Sequence, residues 1–120
     1  MATRLLYVDD EESLRILVKG QLALEGFEVD TAEDGDVALE MLQQDPYDLV
    51  LLDIRMPRVT GLDVLKEMKA QGIRPRVIML TGVDDLSVAI QSVKLGANDY
   101  VTKPYDIEKL LECINRVLAR

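Results

Sequence analysis

Leu49-Val50-Leu51-Leu52-Asp53 constrains this chain more than any other stretch: an apolar run that stops on a carboxylate, then Ile54-Arg55-Met56-Pro57 and Thr60-Gly61. The aliphatics between Asp48 and Asp53 are too few for a helix. They read as a strand buried on both faces, as the strands of a parallel sheet are. Asp53 then falls at the strand's carboxyl end, where open α/β sheets place their ligands. Pro57 lacks an N–H and disfavours helix at Met56, so a loop must intervene before the next helix.

The same pattern recurs on both sides of this stretch. Leu5-Leu6-Tyr7-Val8 stops on Asp9-Asp10, with Glu11-Glu12 behind, and Val77-Ile78-Met79-Leu80 stops on Thr81-Gly82. Phe27-Glu28-Val29-Asp30-Thr31 alternates, which suits a sheet edge, and a short last strand is expected near Asp99-Tyr100-Val101. Helical periodicity fills the gaps. Leu14, Leu17, Val18 and Leu22 form one face closed by Gly26; Ala38, Met41 and Leu42 form another behind an Asp34 cap, ending at Asp45-Pro46. Thr60 with Asp63 resembles a capping box for a helix using Leu62, Leu65 and Met68 and ending at Gly72. Asp84 or Asp85 should cap a helix with Leu86, Ala89, Ile90 and Val93 inward, ended by Gly96. Asp106 opens a final helix with Ile107, Leu110, Leu111, Ile114 and Val117 on its core side.

Five strands alternating with five helices demand an α/β fold, a (βα)5 doubly wound parallel sheet with right-handed crossovers. The wholly apolar first, third and fourth strands belong inside and the second and fifth at the edges, which is the flavodoxin-like order 2-1-3-4-5. At 120 residues the chain is read as one domain, 1–120. No apolar run approaches membrane-spanning length, and Met1-Ala2-Thr3-Arg4 leads into a strand and not a signal peptide, so a cytoplasmic location without membrane contact is expected. Cys113 is alone and reads as core, and the absence of histidine removes imidazole catalysis and imidazole metal sites. A net charge of −8 argues against direct nucleic-acid binding by this segment.

At the switch point of that sheet the ends of the first and third strands are neighbours, so Asp9, Asp10 and Asp53 should converge. At a spacing of roughly 5 Å and an effective dielectric near 20, each carboxylate pair repels by about 3 kcal/mol. Such a cluster takes up protons or holds a cation, and hard oxygen ligands with room for water suit Mg2+. Thr81 and Lys103 add a hydroxyl and an ammonium at the same rim. Together they describe a site for a tetrahedral dianion, with phosphoryl transfer onto Asp53 as the chemistry suggested.

Asp9-Asp10, Leu-Leu-Asp53-Ile-Arg-Met-Pro57 with Gly61, Leu80-Thr81-Gly82, and the run from Gly96 to Pro104 occur in order. In these motifs the chain resembles the receiver domain of bacterial two-component response regulators, the CheY-like family, over essentially its whole length. The resemblance implies a phosphorylation-activated signalling switch and not an enzyme in its own right, assisting only its own phosphotransfer and slow dephosphorylation. It implies Asp53 as phosphoacceptor, and Asp9 or Asp10, Asp53 and the backbone carbonyl of Arg55 as the Mg2+ site. It also implies Thr81 as the switch hydroxyl, Lys103 as the cation that pairs with the phosphoryl group, Tyr100 as the aromatic that turns inward, and a cis bond at Lys103-Pro104. The implied donor is a phosphohistidine on a sensor histidine kinase or phosphotransfer protein of a phosphorelay. An output domain, a partner protein or a phosphorylation-dependent homodimer would read the fourth helix, fifth strand and fifth helix.

Rival readings fare worse. A haloacid-dehalogenase-like phosphatase needs a second acid where Arg55 stands, a flavodoxin-type binder would meet repulsion from Asp9 to Glu12, and neither GxGxxG nor GxxxxGK occurs. A pure interaction module predicts loss of the acceptor, acid pair, Thr or Lys, and all are present.

Overall fold

The computed structural model describes residues 2–120, apart from the side chain of Val83. Its elements in chain order are β1 (Arg4–Val8), α1 (Glu12–Leu24), β2 (Glu28–Ala32), α2 (Gly35–Gln44), β3 (Leu49–Asp53) and α3 (Gly61–Ala70), then β4 (Arg76–Thr81), α4 (Leu86–Lys94), β5 (Asp99–Thr102) and α5 (Ile107–Leu118). A single 3-10 turn, Val83–Asp85, precedes α4. All the strand pairs are parallel, in the order β2-β1-β3-β4-β5. The apolar strands β1, β3 and β4 are interior and the mixed strands are edges, as their composition requires.

Side chains alternate across the sheet and build two cores. Leu6, Val8, Val50, Leu52, Val77 and Met79 pack with Ala38 and Leu42 of α2, Val64, Leu65 and Met68 of α3, and Ala89 of α4. Leu5, Tyr7, Leu49, Leu51, Ile78 and Leu80 face the other way, onto Val18 and Leu22 of α1 and Leu110, Cys113, Ile114 and Val117 of α5. Cys113 is a packing residue, buried and unpaired.

Local chemistry sets most helix ends. Asp34 and Asp106 accept from the backbone N–H groups of Val37 and Lys109 at 2.9 and 2.8 Å. Thr60 and Asp63 form the expected reciprocal capping box. Gly26 and Gly96 follow α1 and α4 at φ +93° and +112°, the left-handed C′ geometry that glycine adopts without a Cβ penalty.

Two helices depart from the expected burial. Leu17 of α1 is 53% exposed, leaving Val18 and Leu22 to anchor that helix. In α4, Leu86, Ile90 and Val93 face outward at 38, 51 and 40% exposure, and the small Ala89 and Ser92 are the buried residues. The face that α4 turns to the sheet is thus small, and the bulkier neighbours lie outside. The α4 cap also differs: neither Asp84 nor Asp85 caps it through a side chain, because the 3-10 turn intervenes and the Asp85 carboxylate is taken by Arg55 at 2.7 Å.

Candidate functional site

Register alone assembles the site. Val8 pairs with Leu52, so Asp9 follows β1 at the level of Asp53 at the end of β3. Asp53 pairs with Leu80, placing Thr81 one residue further along β4, and Thr81 pairs with Thr102, placing Lys103 just past β5. Four successive strand ends thus deliver the expected groups to one rim. The rim holds an open cavity of about 340 Å³ bounded by Asp9, Asp10, Glu11, Asp53, Arg55, Gly82, Asp84, Asp85 and Lys103.

One carboxylate oxygen from each of Asp9, Asp10 and Asp53 lies within 4.8 Å of the others. Asp9 and Asp53 are buried and Asp10 is exposed. Lys103 Nζ bridges the buried pair, 3.3 Å from Asp9 Oδ2 and 3.2 Å from Asp53 Oδ2. Three carboxylates and one ammonium leave a formal charge of −2 on hard oxygen donors, which fits a small divalent cation. Asp9, Asp10 and Asp53 are the side chains that could hold it.

Burial pushes the Asp53 carboxyl up to about 6; Lys103 opposes that rise, Asp9 adds to it, and a backbone N–H from Arg55 opposes it further. For Lys103, burial works against the charge, but the attraction of Asp53 and Asp9 outweighs it and holds the ammonium above its ordinary range. The site therefore joins a strained carboxylate to a firmly charged ammonium. A carboxylate whose negative charge is poorly solvated, flanked by a fixed cation, is suited to react with an electrophile that brings charge of its own.

The remaining expected residues differ in how they address the cavity. The Thr81 hydroxyl is buried and donates to the Gly82 carbonyl at 3.0 Å, so it stands beside the cavity without lining it. Tyr100 is half-buried against the core shared with α4. The Lys103–Pro104 bond is cis. Gly61 packs so tightly on the end of β3 that a Cβ there would collide with the carbonyl of Asp53 and come 2.9 Å from Ile54 Cα.

Asp85, Tyr7 and Tyr105 make polar contacts that the sequence does not foretell. Asp85 is 7% exposed and ties the β3–α3 loop to α4 through Arg55. Tyr7 donates to Asp9 Oδ2 at 3.1 Å and lies 2.6 Å, oxygen to oxygen, from Tyr105. Sequence held a signal for Tyr7: it stands two residues before Asp9, hence on the same face, in a strand where a phenol hydroxyl must find a partner. No comparable signal links Arg55 to Asp85, since their contact depends on how two separate loops meet.

Residues 5–115 match the family model described as response regulator receiver domain. The chain is 39% identical over 115 residues to the regulatory protein AtoC of Escherichia coli, covering 96% of this chain and 25% of that protein. It is 39% identical over 119 residues to the chemotaxis protein CheY of Bacillus subtilis, covering 98% of this chain and 99% of that one. The solved structure of Vibrio cholerae CheY4 superposes with a TM-score of 0.90 at 32% identity, covering 98% of this chain and 99% of that chain. The NtrX receiver domain of Brucella abortus does so at 0.89 and 37%, covering 96% and 98%. Several curated relatives are longer, and the chain spans between a quarter and about half of their length.

Proposed function

The chain belongs to the response regulator receiver family, and on that premise we propose that it is a two-component signalling switch that takes a phosphoryl group onto Asp53 from a phosphohistidine. The observation that carries this reading is the placement of Lys103 Nζ between Asp53 and Asp9, inside a cluster completed by Asp10. A carboxylate oxygen of Asp53 attacks phosphorus, the P–N bond of the donor imidazole breaks, and the departing nitrogen takes a proton from solvent. Lys103 leaves its share of Asp53 and pairs with the transferred oxygens. Asp9, Asp10, Asp53 and the Arg55 carbonyl would hold Mg2+, which when bound supplies the positive charge that screens the acid cluster from the incoming phosphoryl oxygens.

Thr81, at the end of β4, carries the message onward. Its hydroxyl exchanges the Gly82 carbonyl for a phosphoryl oxygen, Tyr100 packs further inward, and the α4-β5-α5 face changes shape. The donor is a sensor histidine kinase or a phosphotransfer protein. An output domain, a partner protein or a second copy of the chain reads the altered face, and a cytoplasmic location fits this role.

Incubation with Mg2+ and acetyl phosphate, followed by intact mass spectrometry, tests the proposal. A single phosphoryl adduct is expected on the wild type and none on Asp53→Ala. An adduct that survives that substitution, or none on the wild type, overturns it.

A further inference from the structure

Tyr7 is wholly buried in β1, packed toward α1 and α5. Its hydroxyl has two neighbours, Asp9 Oδ2 at 3.1 Å and the Tyr105 hydroxyl at 2.6 Å. A phenol carries one proton, and an ionised carboxylate can only accept. Tyr7 therefore donates to Asp9, which leaves Tyr105 to donate to Tyr7, so the direction of the relay is fixed as Tyr105 to Tyr7 to Asp9.

Asp9 has other donors, and they differ in kind. Its Oδ1 accepts the Glu11 backbone N–H at 2.9 Å, and its backbone carbonyl accepts the Arg15 guanidinium at 2.8 Å. On Oδ2, Lys103 is the second donor at 3.3 Å, but Lys103 is shared with Asp53. Tyr7 has no such divided attachment. When Lys103 turns to another anion, Tyr7 is the donor that keeps Oδ2 where it was.

We propose that Tyr7 is a positioning residue for the cation site, fixing the Asp9 carboxylate so that it can share one ion with Asp10 and Asp53, and that Tyr105 strengthens this hold by polarising the Tyr7 hydroxyl. The proposal rests on the reading of Asp9 as a cation ligand. Donors behind a metal-binding carboxylate set its orientation, and hydrogen bonds in a chain reinforce one another. Tyr105 is half-buried beside Leu14 and Pro104, around a surface cavity of about 320 Å³. Tyr7, in the middle of the relay, is sealed from solvent, and Tyr105 meets it.

Calorimetric titration of MgCl2 into wild type, Tyr7→Phe, Tyr105→Phe and the double variant tests the proposal, with thermal unfolding of each metal-free protein alongside. Phenylalanine keeps the ring and removes only the hydroxyl. Tyr7→Phe should weaken Mg2+ binding by about tenfold, the low end for a partner behind a metal ligand, and Tyr105→Phe by less. The double variant should bind no more weakly than Tyr7→Phe alone, because Tyr105 acts only through Tyr7. Wild-type affinity in Tyr7→Phe, or additive losses in the double variant, overturns the proposal. If Tyr7→Phe does not fold, Tyr105→Phe decides: reduced affinity supports the relay and unchanged affinity overturns it. A wild type that takes up no Mg2+ overturns the cation reading itself and this proposal with it, a result distinct from equal binding by wild type and variant.

Discussion

Replacing Asp53 with asparagine should make the metal-free protein more stable, because the native fold holds this carboxylate under strain. Its pKa rises from 3.8 to about 6 on folding, and at about 1.4 kcal/mol per tenfold change the charged form costs about 3 kcal/mol in the native state. The side chain is 6% exposed, so solvent screens little of this. The native chain binds more protons than the unfolded chain between about pH 4 and about pH 6. Wild-type stability from this group therefore falls as pH rises through that window and stays low above it. Asp53→Asn has nearly the full volume and no charge to bury, while Lys103 keeps its contact with Asp9. Its advantage should be near zero at about pH 4 and reach about 3 kcal/mol at neutrality, a gain in melting temperature on the order of 10 °C. Urea unfolding of both proteins across the window, with chelator present, reads this as a difference in which the other titrating groups cancel. Saturating Mg2+ should narrow the gap, since an ion that binds only the folded wild type offsets the strain. A variant no more stable than wild type at neutral pH, or an advantage independent of pH, would refute the reasoning.

Gly61→Ala should lower stability by about 1–3 kcal/mol, the range for overpacking against a surface that cannot yield. The obstruction is the backbone of Asp53 and Ile54, so labelling by acetyl phosphate should slow as well; an unchanged melting temperature with normal labelling would sink the prediction. Thr81→Ala removes a buried hydroxyl that bonds the Gly82 carbonyl, at a cost of about 1 kcal/mol. Asp53 should still label, but hydrogen exchange in α4 should no longer respond to labelling. A response equal to wild type would count against Thr81 as the coupling residue.

Strand order and the meeting of Asp9, Asp53 and Lys103 were legible in the sequence because both follow from periodicity and strand ends. Three apolar runs defined the interior strands, and parallel register then carried the residue after each run to one rim. Helix orientation was less legible. The apolar stripe of α4 predicts its buried face, but Leu86, Ile90 and Val93 point outward and the small Ala89 and Ser92 meet the sheet instead. Periodicity shows that a face is apolar and leaves open whether the protein's own core covers it. The Arg55–Asp85 pair was hidden for another reason: two loops meet there, and local sequence does not encode their meeting.

The seating of α4 also bears on how far a local chemical event can reach. The residues that α5 inserts into the core are Leu110, Cys113, Ile114 and Val117, whereas α4 inserts Ala89 and Ser92, with Val88 and Leu95 half-covered. Each buried methylene is worth about 0.8 kcal/mol, so tilting α4 forfeits far less adhesion than tilting α5. The helix is joined to the acid rim by one short turn and one ion pair. Of these two helices, α4 is the one whose tilt costs the sheet less packing.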